Sequence, residues 1–90
     1  MKVKNLNKTS GKECTECGSW LKHWETLADE TASFCYGKGC PGSAELGAHV
    51  KLVDEGDDSH YIIPLCSKCN KKADAFELED YAPLVSATPC

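Results

Sequence analysis

Two Cys-x-x-Cys pairs constrain this chain more than any other feature. Cys14 and Cys17 form the first pair, and Cys66 and Cys69 form the second pair about 50 residues later. Two residues between thiolates let the backbone turn tightly, so that both sulfurs face one cation. Soft thiolates in a tetrahedral set favour zinc. The spacing therefore predicts one structural zinc site on Cys14, Cys17, Cys66 and Cys69.

The small size of the chain indicates that its fold needs a cross-link such as a bound metal. A chain of 90 residues forms at most one small domain. Seven cysteines, seven glycines and four prolines leave few positions for core aliphatic residues, so we expect a metal or covalent cross-link to supply stability. Disulfides and buried free thiols are the alternatives to a metal. The paired spacing favours the metal.

The hydropathy and the charge of the chain limit where the protein can be located and which molecules it can bind. No apolar run reaches the roughly 20 residues that cross a bilayer, and the first eight residues lack the apolar segment of a secretory signal. We therefore expect a soluble, cytoplasmic monomer with no membrane partner. The net charge is -4, and all 10 basic residues are lysines, which argues against tight binding to nucleic acid but leaves room for a local lysine patch.

The other cysteines give a weaker signal. Cys35 and Cys40 are separated by four residues, two of them glycines, and this spacing suits either a metal loop or a turn between two buried thiols. Seven cysteines and three histidines together can supply the eight donors of two tetrahedral sites. Cys35, Cys40, His49 and Cys90 are the candidates for a second metal site, with buried thiols as the alternative.

Local patterns divide the chain into a tail and one domain. Residues 1–12 have no hydrophobic period and no aromatic residue, which predicts a mobile N-terminal tail. Residues 13–90 are predicted to form a single zinc-stabilised domain.

A short amphipathic helix is predicted over residues 19–28. Ser19 is a suitable N-cap, and Trp20 and Trp24 follow a helical stripe. In a domain with few aliphatic residues, the two tryptophans are expected to anchor the core. His23 is expected to be an exposed helix residue, with a metal ligand or a partner contact as the alternative.

A hairpin and a second helix are predicted to follow. Residues 44–53 alternate between apolar and polar side chains, with His49 on the polar face, and residues 60–63 resume extended structure before a proline. The pattern then turns helical over residues 67–76, so the second cysteine pair straddles the start of this helix. Residues 77–90 are expected to pack back over the core in extended form.

The order of knuckle, hairpin and helix resembles the treble-clef zinc finger and, within that group, the HNH endonuclease-like family. The segments that carry this resemblance are Cys14-Thr15-Glu16-Cys17, Gly47-Ala48-His49-Val50 and Tyr61-Ile62-Ile63-Pro64-Leu65-Cys66-Ser67-Lys68-Cys69-Asn70. The resemblance implies a small α+β treble clef, made of a zinc knuckle, a β-hairpin and a helix. The tryptophan-bearing helix is then an addition to it.

The same resemblance implies positions for a nuclease site. His49 would be the general base, and Asn70 would be the metal ligand on the helix. The family's Asp or His before the base is Ala48 here, and the middle Asn is replaced by Tyr61. Alanine cannot coordinate a metal, so a magnesium-type ion would lose a major ligand. His60, which is expected beside the hairpin, is a substitute.

Two functions are consistent with these features. The first is a binding module, which contacts DNA or RNA through Lys68, Lys71 and Lys72, or a protein through the tryptophan helix and the acidic turn at residues 54–59. The second is a metal-dependent HNH-type nuclease that uses His49 as its base.

Overall fold

A computed structural model describes residues 2–6, 19–53 and 59–87. These residues form a small α+β fold, in which two short helices pack with an antiparallel sheet of five strands in the order β4-β1-β2-β3-β5. The elements in chain order are β1 (Lys2–Asn5), α1 (Trp20–Ala28), β2 (Leu46–Leu52), β3 (Tyr61–Leu65), α2 (Ser67–Asn70), β4 (Phe76–Glu77) and β5 (Val85–Ser86). The predicted α+β class is confirmed. No described helix has the length and apolar character needed to span a membrane.

Helix α1 confirms the predicted first helix and its cap. The Ser19 side chain accepts a hydrogen bond from the backbone N–H of Lys22 at 3.1 Å, which satisfies one of the free amides of the first turn. The helix ends at Asp29, which adopts a left-handed conformation with φ 57°. Trp24 is fully buried and Trp20 packs against the core, so the tryptophans anchor the core as predicted.

The β2–β3 hairpin is also confirmed, with one extension. Ala48 and Val50 are buried, whereas His49 lies on the opposite face of β2, across from Ile62. Strand β3 continues through Pro64, which was predicted to end it. The proline carbonyl accepts a hydrogen bond from the Tyr36 backbone at 3.1 Å, so Pro64 remains paired although its nitrogen donates nothing.

Close packing places α1 directly on the hairpin. A Cβ added at Gly47 would lie 2.5 Å from the Trp20 carbonyl carbon and 2.6 Å from the Leu21 nitrogen. Only glycine permits the helix backbone to approach β2 this closely. Because His49 is two residues beyond Gly47 and on the same face of the strand, the first turn of α1 lies beside the His49 side chain.

The predicted tail does not hold for its first residues. Lys2–Asn5 form β1, which pairs with both β2 and β4. Val3 is fully buried and Asn5 is buried. A four-residue strand has too few positions to show a period, and it is the pairing with distant strands that orders it. The rest of the predicted tail, residues 7–12, lies outside the described residues.

The second helix is shorter than predicted. It covers only Ser67–Asn70, and Phe76 already belongs to β4. The Asn5 side-chain amide donates to the carbonyl oxygens of Cys69 and Lys72, both at 3.0 Å. These carbonyls are the groups that a longer helix would use for its own hydrogen bonds. A contact from β1 thus replaces the next helical turn.

Candidate metal centre

Four cysteine sulfurs form one compact cluster. The sulfurs of Cys35, Cys40, Cys66 and Cys69 all lie within 4.8 Å of one another, and those of Cys40 and Cys66 are 3.8 Å apart. All four thiols are free of disulfides. Cys35, Cys66 and Cys69 are buried, and Cys40 is half-buried. This four-cysteine cluster can hold a metal ion.

The first half of the cluster is built by the loop before the hairpin. Phe34 and Ser43 form a short antiparallel bridge, and inside it the Cys35 backbone donates to the Gly42 carbonyl at 3.0 Å. A tighter turn within this loop brings the Cys40 backbone to the Gly37 carbonyl at 3.0 Å. The two turns direct both sulfurs of this loop toward the end of β3.

The second half comes from the start of α2. Cys66 is the N-cap residue of this helix, and its sulfur accepts a hydrogen bond from the Cys69 backbone at 3.4 Å. One helical turn separates the two cysteines, so both sulfurs lie on the side of the helix that faces the loop.

Backbone N–H groups point at three of the four sulfurs. Cys69 donates to Cys66, Gly37 donates to Cys35 and Gly42 donates to Cys40, each at 3.4 Å. Such donors favour the thiolate over the thiol, and the thiolate is the form that binds a metal. The cluster therefore has the electrostatic surroundings of a metal-thiolate site.

Burial and these donors act in opposite directions on the thiols. The Cys69 N–H is the main cause that lowers the pKa of Cys66 to about 7, whereas burial raises the pKa of Cys35 and of Cys69. Without a cation, at least two of the thiols therefore retain their protons at neutral pH. A bound dication would release these protons, because coordinated thiols are deprotonated.

Two glycines lie next to the sulfurs. A Cβ at Gly37 would lie 2.9 Å from the Cys69 sulfur, and a Cβ at Gly42 would lie 3.4 Å from the Cys40 sulfur and 3.5 Å from the Cys66 Cβ. Both glycines also supply the N–H groups that reach Cys35 and Cys40. The backbone can approach the Cys69 sulfur this closely only because Gly37 carries no side chain, whereas a Cβ at Gly42 would make ordinary van der Waals contacts.

The structure groups the cysteines differently from the sequence prediction. Cys66 and Cys69 lie with Cys35 and Cys40, whereas the sequence paired them with Cys14 and Cys17, which are outside the described residues. The sequence does contain one signal that could have identified Cys35 and Cys40 as the partners of Cys66 and Cys69. Each of the two begins a Cys-x-Gly triplet, Cys35-Tyr36-Gly37 and Cys40-Pro41-Gly42.

His49, the histidine of the predicted second site, is not in the described cluster, although its proposed partners Cys35 and Cys40 are. Cys90 lies outside the described residues. The His49 ring instead contacts the rings of Trp20 and His60, with centroid distances of 5.1 and 5.0 Å. Both ring nitrogens are shielded from solvent, and no described residue forms a hydrogen bond with either. Burial, with a smaller effect from His60, lowers the pKa of His49.

His23 was expected on the surface, but it is buried. Its Nε2 lies 2.8 Å from the Ser86 carbonyl oxygen. The neighbouring Trp24 makes a similar contact, in which its indole N–H donates to the Pro83 carbonyl at 2.7 Å. The segment before and within β5 therefore covers this face of α1. A sequence pattern within the helix could not show this, because the covering residues are about 60 positions away.

The remaining candidate residues lie on or next to α2. Asn70, the implied helix ligand of a nuclease, is half-buried at the end of α2. Lys68, Lys71 and Lys72 are exposed, and the Lys72 ammonium lies 5.1 Å from the centre of the Phe76 ring. The helix thus presents lysines to solvent close to the four-cysteine cluster.

Comparisons with known proteins find no relative: no protein-family model matches the chain, and no curated protein or solved structure is significantly similar to it.

Proposed function

We propose that this protein is a zinc-stabilised, HNH-like treble-clef module that binds nucleic acid and lacks a working nuclease site. The observation that carries this proposal is the four-cysteine cluster with its three N–H···S hydrogen bonds.

Zinc is the metal that suits this cluster best. Four thiolates in a compact set are typical of structural zinc, and such sites leave no open position for a substrate. Iron is the other metal that tetrahedral thiolates select. Zinc needs no redox partner, and its binding would stabilise the fold of a small domain that has a limited hydrophobic core. The ion would tie the loop before β2 to the helix after β3, and so close the open end of the hairpin, where Leu46 pairs with Leu65.

The order of the elements supports the treble-clef assignment. A cysteine-bearing loop comes first, the β2–β3 hairpin follows, and α2 then brings the second cysteine pair in its first turn. In this reading the knuckle is the loop of Cys35 and Cys40. Strand β1 and helix α1 are additions that pack on the hairpin.

The lysines on and next to α2 support a nucleic-acid partner. Lys68, Lys71 and Lys72 are exposed on one short segment, and phosphate groups attract such a local patch even when the net charge of the protein is negative. A zinc ion with four thiolates keeps a net negative charge, so the lysines also offset that charge. The binding experiment has to separate these two roles.

A nuclease is disfavoured by the surroundings of His49. A general base must reach the water whose proton it takes, but both ring nitrogens of His49 are shielded from solvent. Ala48, next to it, offers no ligand for a catalytic metal and is itself buried. The module is therefore proposed to bind a nucleic acid without cutting it.

Cobalt substitution tests the metal centre. Tetrahedral cobalt thiolate sites absorb strongly in the visible and near ultraviolet, so titration of the metal-free protein with Co²⁺ reports thiolate ligation. Cys66→Ser should weaken this absorption, and added Zn²⁺ should displace the cobalt in the wild type. Absence of any thiolate absorption in the wild type would contradict the proposed centre.

Retention on immobilised duplex and single-stranded DNA and RNA, measured against salt concentration, tests the partner. Lys71→Glu with Lys72→Glu should abolish retention and leave the zinc content unchanged. Lys22→Glu, an exposed lysine on α1, is the matched control and should change retention little. Equal loss in both variants, or no retention of the wild type at low salt, would overturn the nucleic-acid proposal.

A further inference from the structure

Three aromatic rings form a connected group beside the loop that carries Cys35 and Cys40. The Tyr36 ring contacts the Phe34 ring at a centroid distance of 5.0 Å and the Tyr81 ring at 6.0 Å. Tyr36 is buried, whereas Phe34 is 46% exposed and Tyr81 is 65% exposed. Single exposed apolar side chains are common, but contiguous exposed apolar surface marks an interaction site. We call Phe34, Tyr36 and Tyr81 the aromatic patch.

Backbone contacts fix the segments that carry the exposed rings. The Glu79 N–H donates to the Tyr36 carbonyl at 2.9 Å, and the Ala82 N–H closes a turn by donating to the Glu79 carbonyl at 3.0 Å. Tyr81 lies within this turn, next to Tyr36. On the other side of the patch, an antiparallel bridge fixes the backbone of Phe34. Both exposed rings are therefore positioned before a partner binds, which lowers the entropic cost of binding.

Negative charge adjoins the aromatic patch. Burial is the main cause that raises the pKa of Tyr36, and the Glu30 carboxylate is the next, so this carboxylate lies near the patch. Glu30 also lines a shallow cleft of about 400 Å³ beside α1, together with Glu25 and Asp29. Lys22 is the one basic residue among the described residues that line this cleft. The surface of the aromatic patch thus continues through Glu30 into an acidic cleft.

We propose that the aromatic patch and the acidic cleft together bind an arginine-rich segment of a partner protein. One guanidinium group lies on the patch, because aromatic faces attract cations and arginine stacks on them more readily than lysine does. The carboxylates of the cleft attract further arginines of the same segment. Nucleic acid is disfavoured at this surface, since its phosphates would meet these carboxylates. The 90 residues contain no arginine, so a second copy of them cannot supply the guanidinium.

Amide NMR of the zinc-loaded wild-type protein tests this proposal. The probe is a short synthetic peptide of alternating arginine and glycine, and the control peptide carries citrulline, an uncharged analogue, in place of arginine. The arginine peptide should shift the amide resonances of Glu30, Phe34 and Tyr81 in a saturable way, and the citrulline peptide should not shift them. If the arginine peptide leaves these resonances unchanged, or if a single-stranded RNA shifts them as strongly, the proposal is wrong.

Variants of the same protein separate the role of the ring from that of its bulk. Tyr81→Phe keeps the ring and should bind the arginine peptide like the wild type, whereas Tyr81→Leu should bind it about 2- to 5-fold more weakly, the size of one exposed cation–π contact. Glu30→Gln should also weaken binding. Asp74→Asn is its matched control, because it removes the same charge from an exposed position outside the patch and the cleft. Equal weakening by these two charge variants, or equal affinity of Tyr81→Leu and wild type, would overturn the proposal.

Discussion

The side-chain amide of Asn5 donates a hydrogen bond to the carbonyl oxygen of Cys69 at 3.0 Å, across 64 positions of the sequence. A second bond from the same amide reaches the Lys72 carbonyl at 3.0 Å. Strand β1 is therefore joined directly to the helix that carries two of the four clustered thiols. The contact ends the helix and holds the cysteine pair relative to the sheet.

Asn5→Ala should lower the free energy of unfolding by about 1–3 kcal/mol, because the Lys72 carbonyl loses the Asn5 donor and the Cys69 carbonyl keeps only the backbone N–H of Lys72. Urea denaturation of the zinc-loaded protein measures this change. Lys4→Ala, at the exposed neighbouring position of β1, is the control and should stay within about 0.5 kcal/mol of the wild type. Equal stability of Asn5→Ala and wild type would show that the contact does not support the fold.

Gly37→Ala should weaken metal binding by about 10- to 100-fold, the range for changes that disturb the surroundings of metal ligands. The added Cβ would lie 2.9 Å from the Cys69 sulfur, so the sulfur must move. Competition with a chelator measures the affinity.

Gly39→Ala provides the control for that substitution. Gly39 has a φ of 74°, and a Cβ there would meet no atom within 4 Å. It should therefore reduce stability through backbone strain, by about 1–2 kcal/mol, and leave the metal affinity within a few fold. A larger loss of affinity in Gly39→Ala than in Gly37→Ala would contradict the close-packing argument.

Removal of the metal should change the pH dependence of stability. In the metal-free protein, burial raises the pKa of Cys35 and Cys69 above the ordinary value of 9.0. The folded state then keeps protons that the unfolded state loses, so their contribution to stability is present below pH 9.0 and falls as the pH rises above it. Cys66, with its pKa lowered to about 7, acts in the opposite direction between about pH 7 and 9.

Unfolding under reducing conditions at a series of pH values measures this dependence. The metal-free protein should lose stability above pH 9. The zinc-loaded protein should instead lose stability on acidification, because protons compete with zinc for the thiolates. The same pH profile with and without zinc would contradict a metal-thiolate centre.

Trp24→Phe should destabilise the protein by about 1–3 kcal/mol. The indole N–H donates to the Pro83 carbonyl at 2.7 Å, and the ring is fully buried. Phenylalanine would leave a gap and an acceptor without its donor. Leu27→Ala, at a position of α1 that is 52% exposed, should have a much smaller effect in the same thermal denaturation series. A larger effect at Leu27 would mean that the helix packs by another face.

Local features of the sequence were sufficient to predict α1 with its Ser19 cap. They also predicted the hairpin, with His49 on the face of β2 opposite to that of Ala48 and Val50. These elements depend on residues a few positions apart, whose periodicity is visible in the chain. The short strand β1 was not predicted because its order depends on pairing with the distant strands β2 and β4. The early end of α2 was not predicted because it depends on the contact between Asn5 and Cys69. The grouping of the cysteines also depends on contacts between distant residues, since seven cysteines allow several sets of four and only the folded chain brings Cys35 and Cys40 to Cys66.

The number of zinc ions per chain tests most directly whether the four-cysteine cluster binds zinc. Native mass spectrometry should compare the wild type with a double variant, Cys35→Ser with Cys40→Ser. The double variant should lose one zinc ion relative to the wild type, because both sulfurs of the loop before the hairpin are removed. An unchanged zinc count in a folded double variant would contradict the account.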